Sequence, residues 1–573
     1  MRALSRLLWL SCSATAACDP SIANYCAPGT PECAIASPDG GADASAVIGA
    51  DAKAAEASVG IDADAAQPGD SGSADATVEA DAAPPIDSAL CDPTKGPHDE
   101  ACVVDEAYGV FVSPTGSDAF AGTRASPFRT IAEGMDSAKS SGKPHVYVCS
   151  GSYPEALVVR ASRDGLSVFG GLDCATWTYS ASSGVTIAPG QPGYALDVEG
   201  LANGVTFEDV AIMAENANAA NPGESSVAVL VNGSTGVVFQ RVTMVAGSGA
   251  NGASGASGGL RTDGGTNPTA SNWLGTPPGY AALDGNDATS TSGGGPKICS
   301  CPDGTTSVGG QGGSAGDGGV QGPGPGLPSY GAAGDAGLSG RNGASCGGGG
   351  SPAENGLDAP QGKASSPSTS WGALGPSGWT PAVGSYGSNG QPGQGGGGGG
   401  NGPASTGFGG SGACGGCGGI GGRPGAGGGA SIGLLVYEST VSLVGCTIVA
   451  HDAGSGGPGG SGEPGQAGGL VGGAQNGSGC QGGGGGSGAG GNGGQGGPGG
   501  LSLGIAFTGT PPTFDGAPVA SGQILGRVVV GAAGAGGSSG PAGAAATTNV
   551  GQPQAGLGGP PGTAGVAQSA LGF

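Results

Sequence analysis

The chain has 573 residues and a net charge of −25, with 136 glycines, 4% aromatic and 10% charged residues. Average domains are about 25% charged, and a chain so poor in large side chains cannot spread one core over its length, because ordering entropy would go unopposed. With only 17 Lys and Arg, the chain has no basic face of the kind nucleic-acid binding requires.

The N-terminus, MRALSRLLWLSCSATAAC, has Arg2 and Arg6, an apolar run from Leu7 and small residues before Cys18. This pattern predicts a signal peptide over 1–17. Thr15-Ala16-Ala17-Cys18 is lipobox-like and makes Cys18 the lipidation site. The usual Leu three places before the cysteine is missing, so cleavage without lipid is the alternative. No later stretch reaches the length of a membrane-spanning helix.

Fifteen cysteines fit an oxidising compartment. The candidate disulfide cysteines are Cys26, Cys33, Cys91, Cys102, Cys149, Cys174, Cys299, Cys301, Cys346, Cys414, Cys417, Cys446 and Cys480, and of these Cys26 with Cys33 and Cys91 with Cys102 could close small loops. Residues 18–108 read as an acidic Ala/Asp-rich tether. Between Asp19 and Tyr108 there are 18 acidic residues against Lys53 and Lys95, so this segment supplies most of the net charge and is expected to stay extended and solvated.

From 109 to 247 short Val, Ile and Phe runs alternate with turn residues, which predicts strands. One helix is expected over 127–142, with Phe128, Ile131, Met135 and Ala138 at three- and four-residue spacing. Gly134 weakens it and Gly142 ends it. A repeat follows: ALDVEGLANGVTFEDVAIMAE from Ala195, AVLVNGSTGVVFQRVTMVAG from Ala228 and GLLVYESTVSLVGCTIVAH from Gly433. Each unit holds three short strands, with Val205, Val210 and Ile212 matching Val237, Val242 and Met244, then Val441, Cys446 and Ile448. A repeated three-strand unit reads as one coil of a solenoid. Insertions follow the third strand of each unit and divide the rest into a glycine-rich insert (248–430), one coil (431–451), a second insert (452–500), terminal strands (501–531) and a glycine-rich tail (532–573). All should project from one side, like a brush.

The inserts lack a sustained Gly-X-Y period apart from five triplets at 456–470, which excludes a collagen triple helix. Two states remain open, a flexible coil and packed extended glycine segments. Disulfides could staple them, and Trp273, Tyr280, Trp371, Trp379 and Tyr386 could form a local cluster or bind a partner.

The chemistry-bearing residues are few. Cys414-Gly-Gly-Cys417 has redox or zinc spacing but lacks two further ligands and a surrounding βαβ pattern. His98, His145 and His451 form no pair with ligand or acid–base spacing. The acids Asp197, Glu199, Glu208 and Asp209, with Arg241 one coil later, are the candidates for acid–base work. A stacked Asp209–Arg241 pair on the outside explains the last two equally well. No catalytic residue, metal site or cofactor is assigned.

Gly122-Thr123 with Pro127-Phe128 and Thr130-Ile131, followed by Val146, Val148, Gly151, Tyr153 and Glu155, resembles the opening of pectate-lyase-like right-handed parallel β-helix proteins. The resemblance covers about residues 109–247. It implies an all-β fold, a short right-handed parallel β-helix with an N-terminal capping helix and long glycine-rich loop insertions. The catalytic patterns of the lyases are not recognisable, so activity is not implied. The whole architecture is similar to the glycine-rich, PGRS-like surface lipoproteins of myxobacteria. The expected function is a non-enzymatic cell-surface structural or adhesive protein, exported to the cell envelope and lipid-anchored in the outer membrane. Its partners would be surface carbohydrate or other cells, and no nucleic acid. The alternative is a carbohydrate-active lyase or hydrolase.

Overall fold

The computed structural model describes residues 91–258, 285–289, 292–301, 303–313, 355–400, 408–474, 479–546 and 552–573. The signal segment, Cys18, Cys26, Cys33, Cys346, Trp273, Tyr280 and most of the tether lie outside these residues.

The fold is predominantly β, and its three large sheets are parallel almost throughout. The chain opens with β1 (Gly109–Val112) and α1 (Ile131–Ser141). It then runs through β2 (His145–Cys149), β3 (Gly151–Tyr153), β4 (Leu157–Val159), β5 (Ser167–Leu172), β6 (Val185–Ile187), β7 (Tyr194–Glu199), β8 (Thr206–Glu208), β9 (Ala211–Met213), β10 (Ser226–Asn232), β11 (Val237–Gln240) and β12 (Thr243–Val245). Two antiparallel hairpins lie in the first insert, β13 (Lys297–Ser300) with β14 (Thr306–Gly309) and β15 (Gly372–Gly375) with β16 (Gly378–Pro381). The frame resumes with β17 (Ser431–Tyr437), β18 (Val441–Val444), β19 (Thr447–Val449), β20 (Ser502–Thr508), β21 (Thr513–Phe514), β22 (Ala517–Pro518), β23 (Val528–Val529) and β24 (Ala567–Gly572).

Sheet one orders β1-β2-β5-β8-β11-β18-β21-β22, sheet two β4-β7-β10-β17-β20-β24, and sheet three β3-β6-β9-β12-β19-β23. From β2 onward the chain visits sheets one, three and two in turn, so like residues stack. Val168, Phe207, Phe239, Leu443 and Phe514 form one in-register row. Ile212, Met244 and Ile448 form another, and Val198, Val231, Val436 and Phe507 a third. These rows are buried and make one continuous core, each fully buried side chain contributing about 1.5–3 kcal/mol.

α1 closes the first end of this core with Ile131, Met135 and Ala138. Thr130 caps its N-terminus by accepting from the Glu133 N–H, and Gly142, at φ 68, ends it. Gly134, which weakens the helix by propensity, is what lets it dock: a β-carbon there would lie 2.5 Å from Val112 Cγ2. Glu155 accepts from the Ile131 and Ala132 N–H groups at 2.7 and 3.1 Å, placing an anion on the helix N-terminus.

Every insertion leaves after a sheet-three strand and returns to a sheet-two strand, so all emerge at one side. Their described residues do not form a brush. The described glycine segments lie side by side and hydrogen-bond to one another. The N–H groups of Gly485, Gly488, Gly491, Gly494, Gly497 and Gly500 donate to the carbonyls of Gly469, Gln466, Glu463, Gly460, Gly457 and Gly454. Each step is three residues, and the segments run antiparallel. No described glycine in 452–500 or 531–546 has positive φ. An extended backbone with three residues per turn is polyproline II.

Three such layers are visible. Segments 249–258, 454–472 and 531–543 run parallel to each other, linked by Gly252 N–H to Ser455 O and Gly459 N–H to Ser538 O. The next layer holds 410–428, 482–500 and 556–565, linked by Gly422 N–H to Asn492 O and Gly493 N–H to Leu557 O. Segment 384–399 lies on the far side, with Gly390 N–H donating to Gly419 O. Isolated polyproline II has no internal hydrogen bonds, so here neighbours must supply them, and only glycine lets backbones come close enough.

Candidate functional site

Two charged clusters sit on the outside of the frame. The first grows from a turn between sheets one and three that repeats in each coil. Asp209, Arg241 and Gly445 occupy equivalent places, all left-handed at φ 56, 54 and 65. Left-handed backbone is unusual for Asp and more so for Arg, and stacking the turns brings the side chains together. Arg241 Nε lies 2.9 Å from Asp209 Oδ1 and its Nη2 2.9 Å from Asp209 Oδ2, while Nη2 also donates to Glu208 Oε1. Burial pushes the Glu208 carboxyl above its usual range, opposed by Arg241. Arg241 itself is held charged: burial works against it, but Asp209 and Glu208 outweigh that. In the next coil Asp515 accepts from the Gly445 N–H at 2.9 Å and pairs with Arg527. The ladder is therefore saturated, its guanidinium already shared between two carboxylates.

A strap covers this cluster. Residues 91–104, closed by the Cys91–Cys102 disulfide, lie across the outer face of sheet one. Gly96 is pressed against Glu208, where a β-carbon would lie 2.6 Å from Oε1. Val104 joins Phe111, Tyr147, Phe169 and Trp177 in a buried aromatic cluster, and His98 meets Tyr179 edge-on at 5.3 Å.

The second cluster is open. Asp197 and Glu199 project from the same face of β7, as period two requires. Arg160 Nε lies 2.8 Å from Glu199 Oε2, and its Nη2 3.6 Å from Asp197 Oδ2. Burial raises the Asp197 carboxyl, with Arg160 pulling the other way. The tip of the β15–β16 hairpin roofs a cavity of about 420 Å³ over these groups, lined also by Tyr194, Leu230, Asn232 and Pro376. Tyr194 donates to the Ser377 carbonyl at 2.9 Å. Gly378, at φ 100, makes that approach possible, since a β-carbon would sit 1.8 Å from the Tyr194 hydroxyl. Tyr194 and Ser377 are 183 residues apart, and no local signal links them. The Trp pair of this hairpin has a structural place. Trp379 packs with Val227, Leu230, Ile432 and Leu503 on the outer face of sheet two, with Trp371 beside it.

The cysteines form four described pairs: Cys91–Cys102, Cys149–Cys174, Cys299–Cys414 and Cys301–Cys417. Both thiols of the Cys-Gly-Gly-Cys motif are thus spent on the β13–β14 hairpin, which removes them from redox or zinc chemistry. Cys480 is disulfide-bonded as well. Cys446, a candidate disulfide cysteine by sequence, is instead free and buried. Its position in the repeat explains this, because it stacks in the core where Val210 and Val242 stand in the preceding coils. Of the histidines, His145 is buried beneath the strap, His98 lies on it, and His451 is exposed at a strand end.

Comparison with family models, with curated proteins and with solved structures finds no significant match.

Proposed function

We propose that this chain is a right-handed parallel β-helix of the pectate-lyase-like class that serves as a non-enzymatic structural or adhesive protein of the bacterial cell surface. Cys18 would carry the lipid in the outer membrane, the acidic segment would act as a spacer, and the glycine layer would be displayed outward. The observation that supports this most is the layer itself. Its described segments bury their backbones against each other, which makes a close-packed slab of mostly small side chains, with few charges such as Arg423 and Glu463, rather than a mobile loop around an active site. The acid–arginine cluster at Glu208 is covered, and its one guanidinium is already taken up by two carboxylates, which also favours a scaffold. Intact-cell protease shaving, with mass spectrometry of the N-terminus, tests the reading. A lipidated Cys18, with cleavage in the tether and resistant fragments that carry the described sheets and glycine segments, is expected. A soluble product without lipid would contradict it.

A second reading, a carbohydrate-active enzyme, has one observation in its favour: the open cavity with Asp197, Glu199 and Arg160. Release of reducing or unsaturated ends from polysaccharide that disappears in Asp197→Asn would support it over the scaffold.

A further inference from the structure

We propose that the strap 91–104 is an acid-released clasp between the tether and the folded frame, with the buried His145 as its proton-sensitive pin. Several contacts hold the strap, among them Gly96 on Glu208, His98 on Tyr179 and Arg124 on the Val104 carbonyl, and one set meets at His145. His145 is 3% exposed. Its Nδ1 lies 2.9 Å from the Tyr147 hydroxyl, and that hydroxyl donates to the Val103 carbonyl of the strap, so the neutral ring gives its one N–H to the hydroxyl. The Val103 end of the strap is thus tied to the frame through Tyr147, with His145 behind it. Around them is an apolar wall: the His145 ring meets Phe169 at 5.0 Å and Tyr147 at 5.7 Å, and Val103 is fully buried.

A buried imidazole in such a wall is held neutral, because burial disfavours its charge. Burial lowers His145 to about 4, although the Pro93 carbonyl favours the charged ring. Opening the strap hydrates the ring and returns it to the ordinary value of about 6.5. The proton is therefore taken up on opening, so the closed strap is fully favoured above pH 6.5 and loses that advantage as pH falls toward 4. From this difference His145 taken alone weakens the closing equilibrium by roughly tens of fold between pH 7 and 4.5, with Glu208 opposing it.

The other groups facing the pin are Tyr108 and Tyr147, with Asp105 and Arg124 acting on the latter. Glu208, under Gly96, works with the opposite sign. Its raised carboxyl takes up a proton more readily when covered, which favours closure in acid. Lys95 is exposed on the strap, and His98, also exposed, meets Tyr179 of the frame at its edge. The disulfide Cys91–Cys102 keeps the strap a single loop, so it opens as a unit without unfolding the frame.

Hydrogen exchange of the full chain, read by mass spectrometry on peptides from 91–108 and corrected for intrinsic rates, tests this. Between pH 7 and 4.5 the strap peptides should lose protection by tens of fold, while β10 and β17 peptides keep theirs. His145→Gln, which cannot titrate, should lose no strap protection at pH 4.5, and Glu208 should leave it equal or slightly higher there. Glu208→Gln should enlarge the wild-type loss, and His98→Gln should leave it in place. Wild-type strap protection that is unchanged by pH overturns the proposal. So does a pH-dependent loss that persists in His145→Gln.

Discussion

Glycine has two distinct uses here, and a single methyl group separates them. At Gly491 a β-carbon would lie 2.2 Å from the Ile420 carbonyl oxygen, and the Gly491 N–H donates to Glu463. Gly491→Ala should therefore destabilise the layer by about 1–3 kcal/mol, as overpacking does. At Gly558 the nearest atom to a β-carbon is 3.8 Å away. There Gly558→Ala should be neutral or stabilising by about 0.4–1 kcal/mol, through the unfolded chain. Denaturant melts of the two variants side by side check this. Gln495 makes a complementary case. It is buried, accepts from the Ser368 and Ser385 N–H groups and donates to the Ser368 and Pro561 carbonyls. Gln495→Ala should leave these backbone groups unpaired and cost about 1–3 kcal/mol. At the corner of the frame, Arg241→Ala strands the covered Glu208 carboxylate and should cost about 3–5 kcal/mol. Glu208→Gln added to it should recover part of the loss, Asp209 staying unpaired, a coupling measurable by a double-mutant cycle.

At the level of elements, the frame was largely legible and the layer only as one of two open states. The repeat from Ala195, Ala228 and Gly433 could be read because inward Val and Ile positions stack in register, and Val237 does pair with Val441. The Gly-Thr-x-x-x-Pro-Phe motif has a local cause. Gly122, at φ 68, leaves a space that the Phe128 ring fills, 2.1 Å from where a β-carbon would be. Glu155 completes the motif by capping α1. The layer hid because polyproline II has no side-chain periodicity to betray it. Its signal is instead glycines per triplet. The interior segment 488–500 reads GAGGNGGQGGPGG, with two glycines in every three, while the edge segment 534–543 reads GAGGSSGPAG. A residue between two neighbours must be glycine on both sides, and an edge residue on one. The cavity over Asp197 was invisible for another reason: its roof comes from a hairpin far along the chain. That hairpin's insert is also held by Cys299–Cys414 and Cys301–Cys417, which close loops of 115 and 116 residues in sequence separation. Replacing Cys414 and Cys417 by serine should cost about 2–5 kcal/mol per bridge, seen as early protease cleavage near 297–309 before the frame yields.

As a whole molecule, the chain uses two economies of structure. The frame buries side chains between sheets, and the layer buries backbone between glycines. The layer has almost no hydrophobic contribution, so its stability rests on satisfied backbone hydrogen bonds in a close-packed stack, each worth about 1 kcal/mol net. The frame anchors both ends of every insertion at one side and so removes much of the entropy that would otherwise keep glycine disordered. The molecule should accordingly lose its layer first on heating, with the frame melting later.

The central claim, that the glycine segments form an ordered polyproline II layer, is tested most directly by amide hydrogen exchange resolved residue by residue by NMR. In the interior segment the N–H groups of residues 488 to 497 donate in turn to three different neighbours, so all of them should be protected. In the edge segment 556–565, Gly556, Gly559, Gly562 and Gly565 donate to Gly543, Gly540, Gly537 and Gly534, so protection should recur at every third residue, with Leu557 added by its bond to Asn492. Uniformly fast exchange through both segments, at the rates of an unstructured glycine chain, would contradict the account.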